Sequence, residues 1–270
     1  MNRRELFTEI RRKKYCLCVG LDSDIQKLPD IVKSSSDPVF EFNRAIIDAS
    51  HQYTVAYKPN LAFYESLGTK GWISLEKTVD HIRSVDPSIF IIADAKRGDI
   101  GNTASQYARA YFVHFDFDAV TLSPYMGRDS IEPFLDYQDK WVIILALTSN
   151  QGSKDFELQR LENMRFLYEE VILSSSEWGT TDNVMYVVGA TQSKYLSNIR
   201  KLIPDHFLLV PGVGAQGGDL EGVLSHGKND HGGLLINSSR GIIFASSESD
   251  FDKKASIAAK NIQEKMASFF

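Results

Sequence analysis

Five charged residues lie in or just after apolar runs of strand length in the first hundred positions. They are Asp22, Lys58, Asp94, Lys96 and Asp99. A lysine inside an apolar strand requires a charged partner, because removing an ammonium group from water is unfavourable unless its charge is paired. Flanking carboxylates favour the charged form of Lys96, which suits a proton donor better than a Schiff-base nucleophile. The pattern therefore indicates either an active site built on a fixed ammonium group or a structural ion-pair network.

A glycine-rich segment later in the chain has the composition of a phosphate-binding loop. Residues 211–218 match the pattern G-x-G-x-x-G through Gly212, Gly214 and Gly217. The dinucleotide-binding version of this motif requires an acidic residue about 20 positions further on. The next apolar run ends instead in Asn-Ser-Ser-Arg240. We therefore expect backbone N–H groups and the Arg240 guanidinium to bind a phosphate, with a glycine turn that binds no ligand as the alternative.

Eight apolar runs of strand length must position these residues. Most are continuous rather than alternating, which is typical of parallel strands buried on both faces. The runs are 16–22, 54–60, 89–96, 119–124, 141–149, 184–190, 207–214 and 233–241. Consecutive runs are far enough apart for one helix and two loops. We predict an α/β fold, a single (β/α)8 TIM barrel over residues 1–270 with an extra basic N-terminal helix closing its bottom. A doubly wound open sheet is the alternative.

Segments with helical spacing alternate with the apolar runs. Residues 38–50 place their apolar side chains near one stripe, and the last stretch of the chain, 253–270, has a similar pattern. Thr103 and Thr191 begin two further helical segments and are predicted as helix N-caps, and 219–224 also has helical spacing. The active sites of such barrels lie at the carboxyl ends of the strands. The charged residues and the glycine-rich segment fall at those ends.

Composition and charge exclude several classes of protein. The chain has 270 residues, of which 43% are hydrophobic and 24% are charged, an ordinary globular composition. Its net charge of −5 argues against a nucleic-acid partner. The longest apolar run, Trp141–Leu147, is too short to cross a membrane, and the charged start lacks the apolar region of a signal peptide. We therefore expect a cytoplasmic protein with no membrane partner.

Motifs of other chemistries are missing from the sequence. Cys16 and Cys18 are its two cysteines, and they alternate along one strand face, where they are poorly placed to bridge. We expect reduced thiols and no cysteine-based zinc site. The six histidines fall in predicted helices or loops away from the strand ends. There is no G-x-S-x-G, H-E-x-x-H or P-loop lysine motif.

Taken together, these residues resemble those of the orotidine 5′-phosphate decarboxylase family. The segment Asp94-Ala-Lys-Arg-Gly-Asp-Ile100, followed by Thr103, is similar to the signature of that family. The D-x-K-x-x-D core alone is shared with related barrel enzymes, so the combination with further landmarks carries the resemblance. The landmarks are Gly20-Leu-Asp22, Lys58-Pro-Asn60, Ser123-Pro-Tyr-Met-Gly127, Thr148-Ser-Asn150, 211–217 and Arg240-Gly241. They run in order along nearly the whole chain, and several resemble the longer bacterial branch.

The resemblance implies decarboxylation of orotidine 5′-monophosphate to UMP in pyrimidine biosynthesis, without a metal or an organic cofactor. Lys96 would donate a proton to C6 of the pyrimidine. Asp94 would lie against the substrate carboxylate, and Lys58 would bridge Asp94 and the ribose. Asp99 and Thr103 would reach into the active site of the other subunit of a homodimer.

The resemblance also implies which residues bind the rest of the substrate. Asp22 would hold ribose hydroxyls, and Ser149 or Thr148 would contact the pyrimidine amide. The phosphate would be bound at the end of the seventh and eighth strands, by Pro211, Gln216, Gly217 and Arg240. Two rival functions are a Mg²⁺-dependent sugar-phosphate lyase or decarboxylase with the same D-x-K-x-x-D core, and a non-catalytic protein that binds a phosphoribosyl ligand.

Overall fold

Eight parallel strands pair in chain order, and the last pairs with the first to close a barrel. The structure is a computed structural model, and it describes residues 1–213 and 218–270. The strands are β1 Leu17–Leu21, β2 Ala56–Pro59, β3 Phe90–Arg97, β4 Ala119–Leu122, β5 Trp141–Leu147, β6 Val184–Val188, β7 Phe207–Pro211 and β8 Leu234–Ser238. Each predicted strand is confirmed. The closed barrel is confirmed as well, and the open doubly wound sheet is excluded.

Helices follow the strands and pack outside them. They are α1 Arg3–Lys13, α2 Asp30–Lys33, α3 Pro38–Ser50, α4 Leu61–Glu65, α5 Thr69–Val85, α6 Gly101–Arg109, α7 Glu132–Leu135, α8 Leu167–Ser176, α9 Ser193–Leu202, α10 Leu220–Gly227, α11 Arg240–Ile243 and α12 Phe251–Ala267. A π-helical segment, Ala110–His114, extends α6. The intervals after β1 and β2 each hold two helices where the sequence predicts one, because α2 and α4 are too short to show a periodic pattern.

Burial on both faces explains why the strands are apolar without interruption. Every residue of β1, β6 and β8 is buried, including the polar Asn237 and Ser238. One face of each strand fills the interior of the barrel, and the other packs against the surrounding helices. A polar residue in such a strand therefore needs a partner within the protein or a ligand.

The helix after β1 shows how the local sequence fixes the ends of an element. α3 begins at Pro38, which suits the first turn because its missing N–H would have no helical partner. The Asp37 side chain accepts a hydrogen bond from the backbone N–H of Phe40 at 3.2 Å. The side chains on the buried face of α3 are Val39, Phe42, Asn43, Ile46, Ile47 and Ser50. The helix predicted over 38–50 is confirmed.

The two predicted threonine caps are wrong. α6 begins at Gly101, two residues before Thr103, so Thr103 lies within the first turn. α9 begins at Ser193, after a short 3-10 turn that includes Thr191. The helix predicted after Asp219 is confirmed as α10, and the Asp219 side chain caps it by accepting a hydrogen bond from the backbone N–H of Gly222.

The predicted N-terminal helix crosses the bottom of the barrel. Leu6 and Ile10 of α1 are buried and belong to the hydrophobic core. The Trp141 indole, at the start of β5, donates a hydrogen bond to the carbonyl of Met1 at 2.8 Å. α1 therefore packs against the amino ends of the strands and leaves their carboxyl ends for a site.

The two cysteines are free and buried, as predicted. Cys16 lies just before β1 and Cys18 lies within it. Burial raises the pKa of each thiol to about 12. Since the thiolate is the reactive form, both side chains act as small core residues.

A buried histidine lies directly before β7. His206 is 8% exposed, and neither ring nitrogen has a hydrogen-bond partner among the described residues. Burial, together with the positive charges of Arg200 and Arg3, lowers the pKa of His206 to about 4, against the opposing charge of Asp205. Its ring packs edge-on against Tyr186, with the ring centroids 5.6 Å apart. The folded protein therefore keeps His206 neutral at pH values where an exposed histidine is charged.

We predict that His206 lowers the stability of the protein as the pH falls from about 6.5 to about 4. In this window the unfolded chain binds a proton that the folded chain does not. The unfolded state is thereby stabilised relative to the folded state by up to roughly 2–3 kcal/mol. Chemical denaturation of His206→Phe should therefore show a flatter dependence of the unfolding free energy on pH. His114→Gln, which replaces an exposed ring, is the control and should keep the parental slope. A parental slope in His206→Phe would contradict this prediction.

Candidate active site

One cavity lies where the carboxyl ends of the eight strands converge. Its volume is about 470 Å³, and each strand or the loop after it supplies part of the lining. The sequence-predicted residues that line it are Asp22, Lys58, Asp94, Lys96, Thr148, Ser149, Pro211 and Arg240. The fold thus brings together residues that are far apart in the sequence.

Asp94 lies between two ammonium groups in the wall of this cavity. Its Oδ2 accepts a hydrogen bond from Lys58 Nζ at 2.6 Å, and its Oδ1 accepts one from Lys96 Nζ at 2.5 Å. The side chains of Lys58 and Asp94 are 5% and 10% exposed, whereas that of Lys96 is 52% exposed. The inner pair is therefore shielded from solvent, and the outer ammonium group is accessible from the cavity.

Burial opposes the charged forms of Lys58 and Asp94, but the attraction between the opposite charges is stronger. Desolvation raises the pKa of Asp94, yet the charges and hydrogen bonds of the two lysines hold that pKa well below its ordinary value. Desolvation lowers the pKa of Lys58, yet the carboxylates of Asp94 and Asp22 raise it above its ordinary value. These charges are therefore fixed before any ligand binds.

The backbone of β3 is irregular at Lys96. Its φ is 49°, in the left-handed region that residues other than glycine rarely adopt. The pairing of β3 with β4 shifts register between Ala93 and Arg97. The side chains of Asp94 and Lys96 meet through this irregularity, because residues two apart share a face only in a regular strand. Backbone strain of this kind persists where surrounding contacts hold it, and it is common at active sites.

Asp22 follows β1 and lines the cavity. Its Oδ1 is buried and has no hydrogen-bond partner among the described residues. A buried acceptor without a donor is unfavourable. A ligand hydroxyl at this point would satisfy it.

The loop after β5 brings in a carboxylate that the sequence pattern does not indicate. Glu157 Oε2 accepts a hydrogen bond from the backbone N–H of Thr148 at 2.7 Å, and Oε1 accepts one from the Thr148 hydroxyl at 2.8 Å. Ser149 lines the cavity beside it. The backbone after β6 passes close to Ser149. A Cβ added at Gly189 would lie 2.7 Å from the Cβ of Ser149. The Thr148 hydroxyl is thus bonded within the loop, and Ser149 is held at the cavity wall.

The ends of β7 and β8 form the part of the cavity predicted to bind phosphate. Arg240 is exposed and begins α11, directly after the end of β8. Gln216 and Gly217, also predicted to bind phosphate, lie outside the described residues. The residues that flank this stretch are Val213 and Gly218, which form a parallel bridge. Among the described residues, Arg240 therefore supplies the positive charge at this end of the cavity.

Asp99 and Thr103 do not line the cavity of their own chain. Asp99 Oδ1 accepts a hydrogen bond from the backbone N–H of Ile100 at 2.9 Å, and Thr103 is exposed on α6. Ile100 and Tyr125, in the loops after β3 and β4, are 50% and 85% exposed. The single chain does not bring Asp99 and Thr103 into its own site, and their role in a partner's site stays a prediction.

Comparison with known proteins decides the family. The sequence profile described as "Orotidine 5'-phosphate decarboxylase / HUMPS family" matches residues 16–250. The chain belongs to this family. The family resemblance of the sequence is thereby confirmed.

Similar proteins match along nearly the whole chain. A Bacteroides fragilis protein named orotidine 5'-phosphate decarboxylase is 57% identical over 267 residues, which cover 99% of this chain and 97% of the relative. One of the same name from Flavobacterium johnsoniae is 53% identical, with the same coverage of both chains. The solved structure of Leishmania donovani OMP decarboxylase is 37% identical with a TM-score of 0.85, and the match covers 100% of this chain and 98% of that one.

In this member of the orotidine 5'-phosphate decarboxylase / HUMPS family, several cavity residues escape the sequence analysis. They are Asn60, Thr121, Glu157, Asn237 and Ser239. Thr121 is a polar residue inside an apolar strand, the same signal that singles out Lys58, and could have been found in that way. Glu157 lies in a loop without a periodic pattern, so only the folded structure brings it to the site.

We expect Lys58→Met to destabilise the protein by about 3 kcal/mol, because Asp94 would lose one of two ammonium partners in a buried site. Lys33→Met removes an exposed pair with Asp30 and should change the unfolding free energy by less than about 0.5 kcal/mol. Urea denaturation measures both variants. Equal stability of the two would contradict a buried, charge-dependent pair.

Proposed function

We propose that the chain decarboxylates orotidine 5′-monophosphate (OMP) to UMP, the pyrimidine-biosynthesis reaction for which its relatives are named. One observation carries this proposal, namely the Asp94 carboxylate held between Lys58 and Lys96 at the mouth of the barrel. The arrangement supplies a fixed ammonium group in a cavity of about 470 Å³. Such a group suits a reaction that develops negative charge on carbon.

The chemistry of the reaction gives these charges their role. Breaking the bond between C6 and the carboxylate releases CO₂ and leaves the electron pair on C6, in the plane of the ring and outside its π system. Because the π system cannot accept this pair, stabilisation has to come from charges placed in advance. Lys96 Nζ would transfer its proton to C6 and regain one from water. Asp94 would lie against the substrate carboxylate and hold both ammonium groups in place.

The rest of the cavity supports binding of the nucleotide. Asp22 offers an unsatisfied acceptor that suits a ribose hydroxyl. Ser149 or Thr148 would contact the pyrimidine amide, since both residues line the cavity. The phosphate would contact Pro211, Gln216, Gly217 and Arg240. Since the phosphate is remote from C6, its binding energy can be used to order the site around the ring.

An assay of the purified chain with OMP separates this function from its two rivals. We propose that no metal or cofactor takes part, so UMP should form at the same rate with and without EDTA. Loss of activity in EDTA would favour a Mg²⁺-dependent sugar-phosphate lyase or decarboxylase. Binding of UMP without turnover of OMP would favour a non-catalytic protein that binds phosphoribosyl ligands.

We expect Lys96→Ala to lower kcat for OMP by at least about 10⁴-fold, because proton donation and carbanion stabilisation are lost together. Lys14→Ala is a matched control, since Lys14 also has a positive φ, of 59°, but lies at the end of α1. It should retain the parental kcat. Circular dichroism verifies that both variants are folded. A folded Lys96→Ala protein with near-parental kcat would remove Lys96 from the role of proton donor.

We further propose a homodimer whose active sites are shared. Asp99 and Thr103 lie outside the cavity of their own chain, and the loops after β3 and β4 carry the exposed, largely apolar side chains of Ile100 and Tyr125. A second subunit that covered these apolar side chains would gain hydrophobic stabilisation. It would also receive Asp99 close to its own Lys96.

Mixed dimers test the shared site. Lys96→Ala and Asp99→Ala proteins, each inactive alone, are unfolded together and refolded. If Asp99 acts across the interface, half of the dimers are hybrids with one complete site, so about a quarter of the parental activity should return. Refolding each variant separately is the control. Inactive hybrids, verified by mass, would refute the shared site and leave the decarboxylase proposal intact.

We propose that all 270 residues act as one domain in the cytoplasm, without a nucleic-acid or membrane partner. The two cysteines are buried free thiols, as expected in a reducing compartment. The net charge of −5 provides no excess of basic groups for nucleic acid. Within 1–213 and 218–270, no helix combines the length and the apolar character needed to cross a bilayer.

A further inference from the structure

The pairing of β3 with β4 changes register beside the charge cluster. The register jumps between two pairs, Ala93 with Val120 and Arg97 with Leu122. β3 therefore has three residues, 94–96, where β4 has only Thr121. Extra residues in one strand lose their regular partners in the other, and their backbone groups need new ones.

The Thr121 side chain supplies those partners. Its Oγ1 accepts hydrogen bonds from the backbone N–H groups of Ala95 at 3.0 Å and Lys96 at 2.9 Å. The same hydroxyl donates to Asp94 Oδ1 at 3.2 Å. A hydroxyl has one donor and two acceptor positions, so all of its bonding capacity is used. Thr121 is 1% exposed, so its hydroxyl is shielded from bulk solvent.

These bonds fix both ends of the Lys96 residue. One end is its backbone, which has the strained φ of 49°. The other is its ammonium group, which is bonded to the same Asp94 Oδ1 that accepts the Thr121 proton. The carbonyl of Ala95 is bonded separately, by the Arg97 guanidinium at 2.9 Å. One hydroxyl thus connects the Lys96 backbone with the carboxylate that holds the Lys96 ammonium group.

We propose that Thr121 is a positioning residue for decarboxylation, and that it sets the place of Lys96 Nζ relative to C6 of the substrate. This inference rests on the proposed function. Without the hydroxyl, the two backbone N–H groups lose their acceptor and the strained backbone at Lys96 can relax toward an extended conformation. A shift of the reacting group by about 1 Å can cost about a hundredfold in rate. Binding of the phosphate and ribose does not involve this hydroxyl.

Three variants separate positioning from general stability. Thr121→Val keeps the shape of the side chain and removes the hydroxyl, whereas Thr121→Ser keeps the hydroxyl and removes only a methyl group. Thr54→Val is the matched control, because Thr54 is also fully buried but lies just before β2, where its hydroxyl donates to the carbonyl of Ser50 at 2.9 Å. Each variant and the parent are compared by steady-state kinetics with OMP and by thermal unfolding.

We expect Thr121→Val to lower kcat by about 10- to 100-fold with a much smaller change in KM, because ground-state binding is retained. Thr121→Ser should recover most of the parental kcat. Thr54→Val should lower Tm and keep the parental kcat, because the hydroxyl that it removes lies outside the charge cluster. If Thr121→Val fails to fold, Thr121→Cys replaces it with the same expected loss of kcat, since a thiol is a weak acceptor.

Parental kcat in folded Thr121→Val or Thr121→Cys would overturn the proposal, as would a Thr121→Ser protein no faster than Thr121→Val. A loss of kcat in Thr54→Val equal to that in Thr121→Val would also overturn it, because the effect would then be one of stability. A parent that does not convert OMP would refute the proposed function together with this role. An active parent with unaffected Thr121 variants would refute the role alone.

Discussion

Burying the Asp94 carboxylate is unfavourable unless both of its oxygens are paired, and the site is built around that requirement. Lys58 satisfies one oxygen from β2, and Lys96 satisfies the other from β3 itself. Removing either lysine would leave buried charge without compensation. The same pairing that stabilises the carboxylate therefore fixes an ammonium group at the cavity, so in the proposed mechanism stability and catalysis depend on one set of contacts.

The barrel provides this arrangement through strand register and one local irregularity. Parallel pairing brings Gly20 of β1 opposite Lys58, and an isolated bridge joins Asn60 to Asp94 just beyond β2. The residue that departs from regular geometry is Lys96, where the φ is 49°. Regular elements thus determine which side chains meet, and the irregular residue determines where the Lys96 ammonium group lies.

The sequence predicts the barrel and the charge cluster well, because both depend on patterns that can be recognised in the order of the residues alone. Continuous apolar runs mark buried parallel strands, and a lysine such as Lys58 inside such a run stands out as a charge that needs a partner. The left-handed backbone of Lys96 has no sequence signal, since it depends on a register shift between two strands. Glu157 also has none, because a loop without periodicity carries it to the cavity. The predicted caps at Thr103 and Thr191 fail because local propensity is weaker than the tertiary packing that fixes where a helix begins.

The central claim is that the charges at the cavity are fixed by the fold before substrate binds. NMR titration of protein labelled with [¹³C]aspartate tests it directly, with the Asp94 carboxyl carbon assigned by comparison with Asp94→Asn. Mutual pairing with the two lysines holds the pKa of Asp94 well below its ordinary value. The Asp94 signal should therefore stay at its ionised position from about pH 7 to about pH 4, where ordinary aspartates begin to titrate around their usual pKa of about 3.9. An Asp94 carboxyl that titrates at or above that ordinary value would contradict the account.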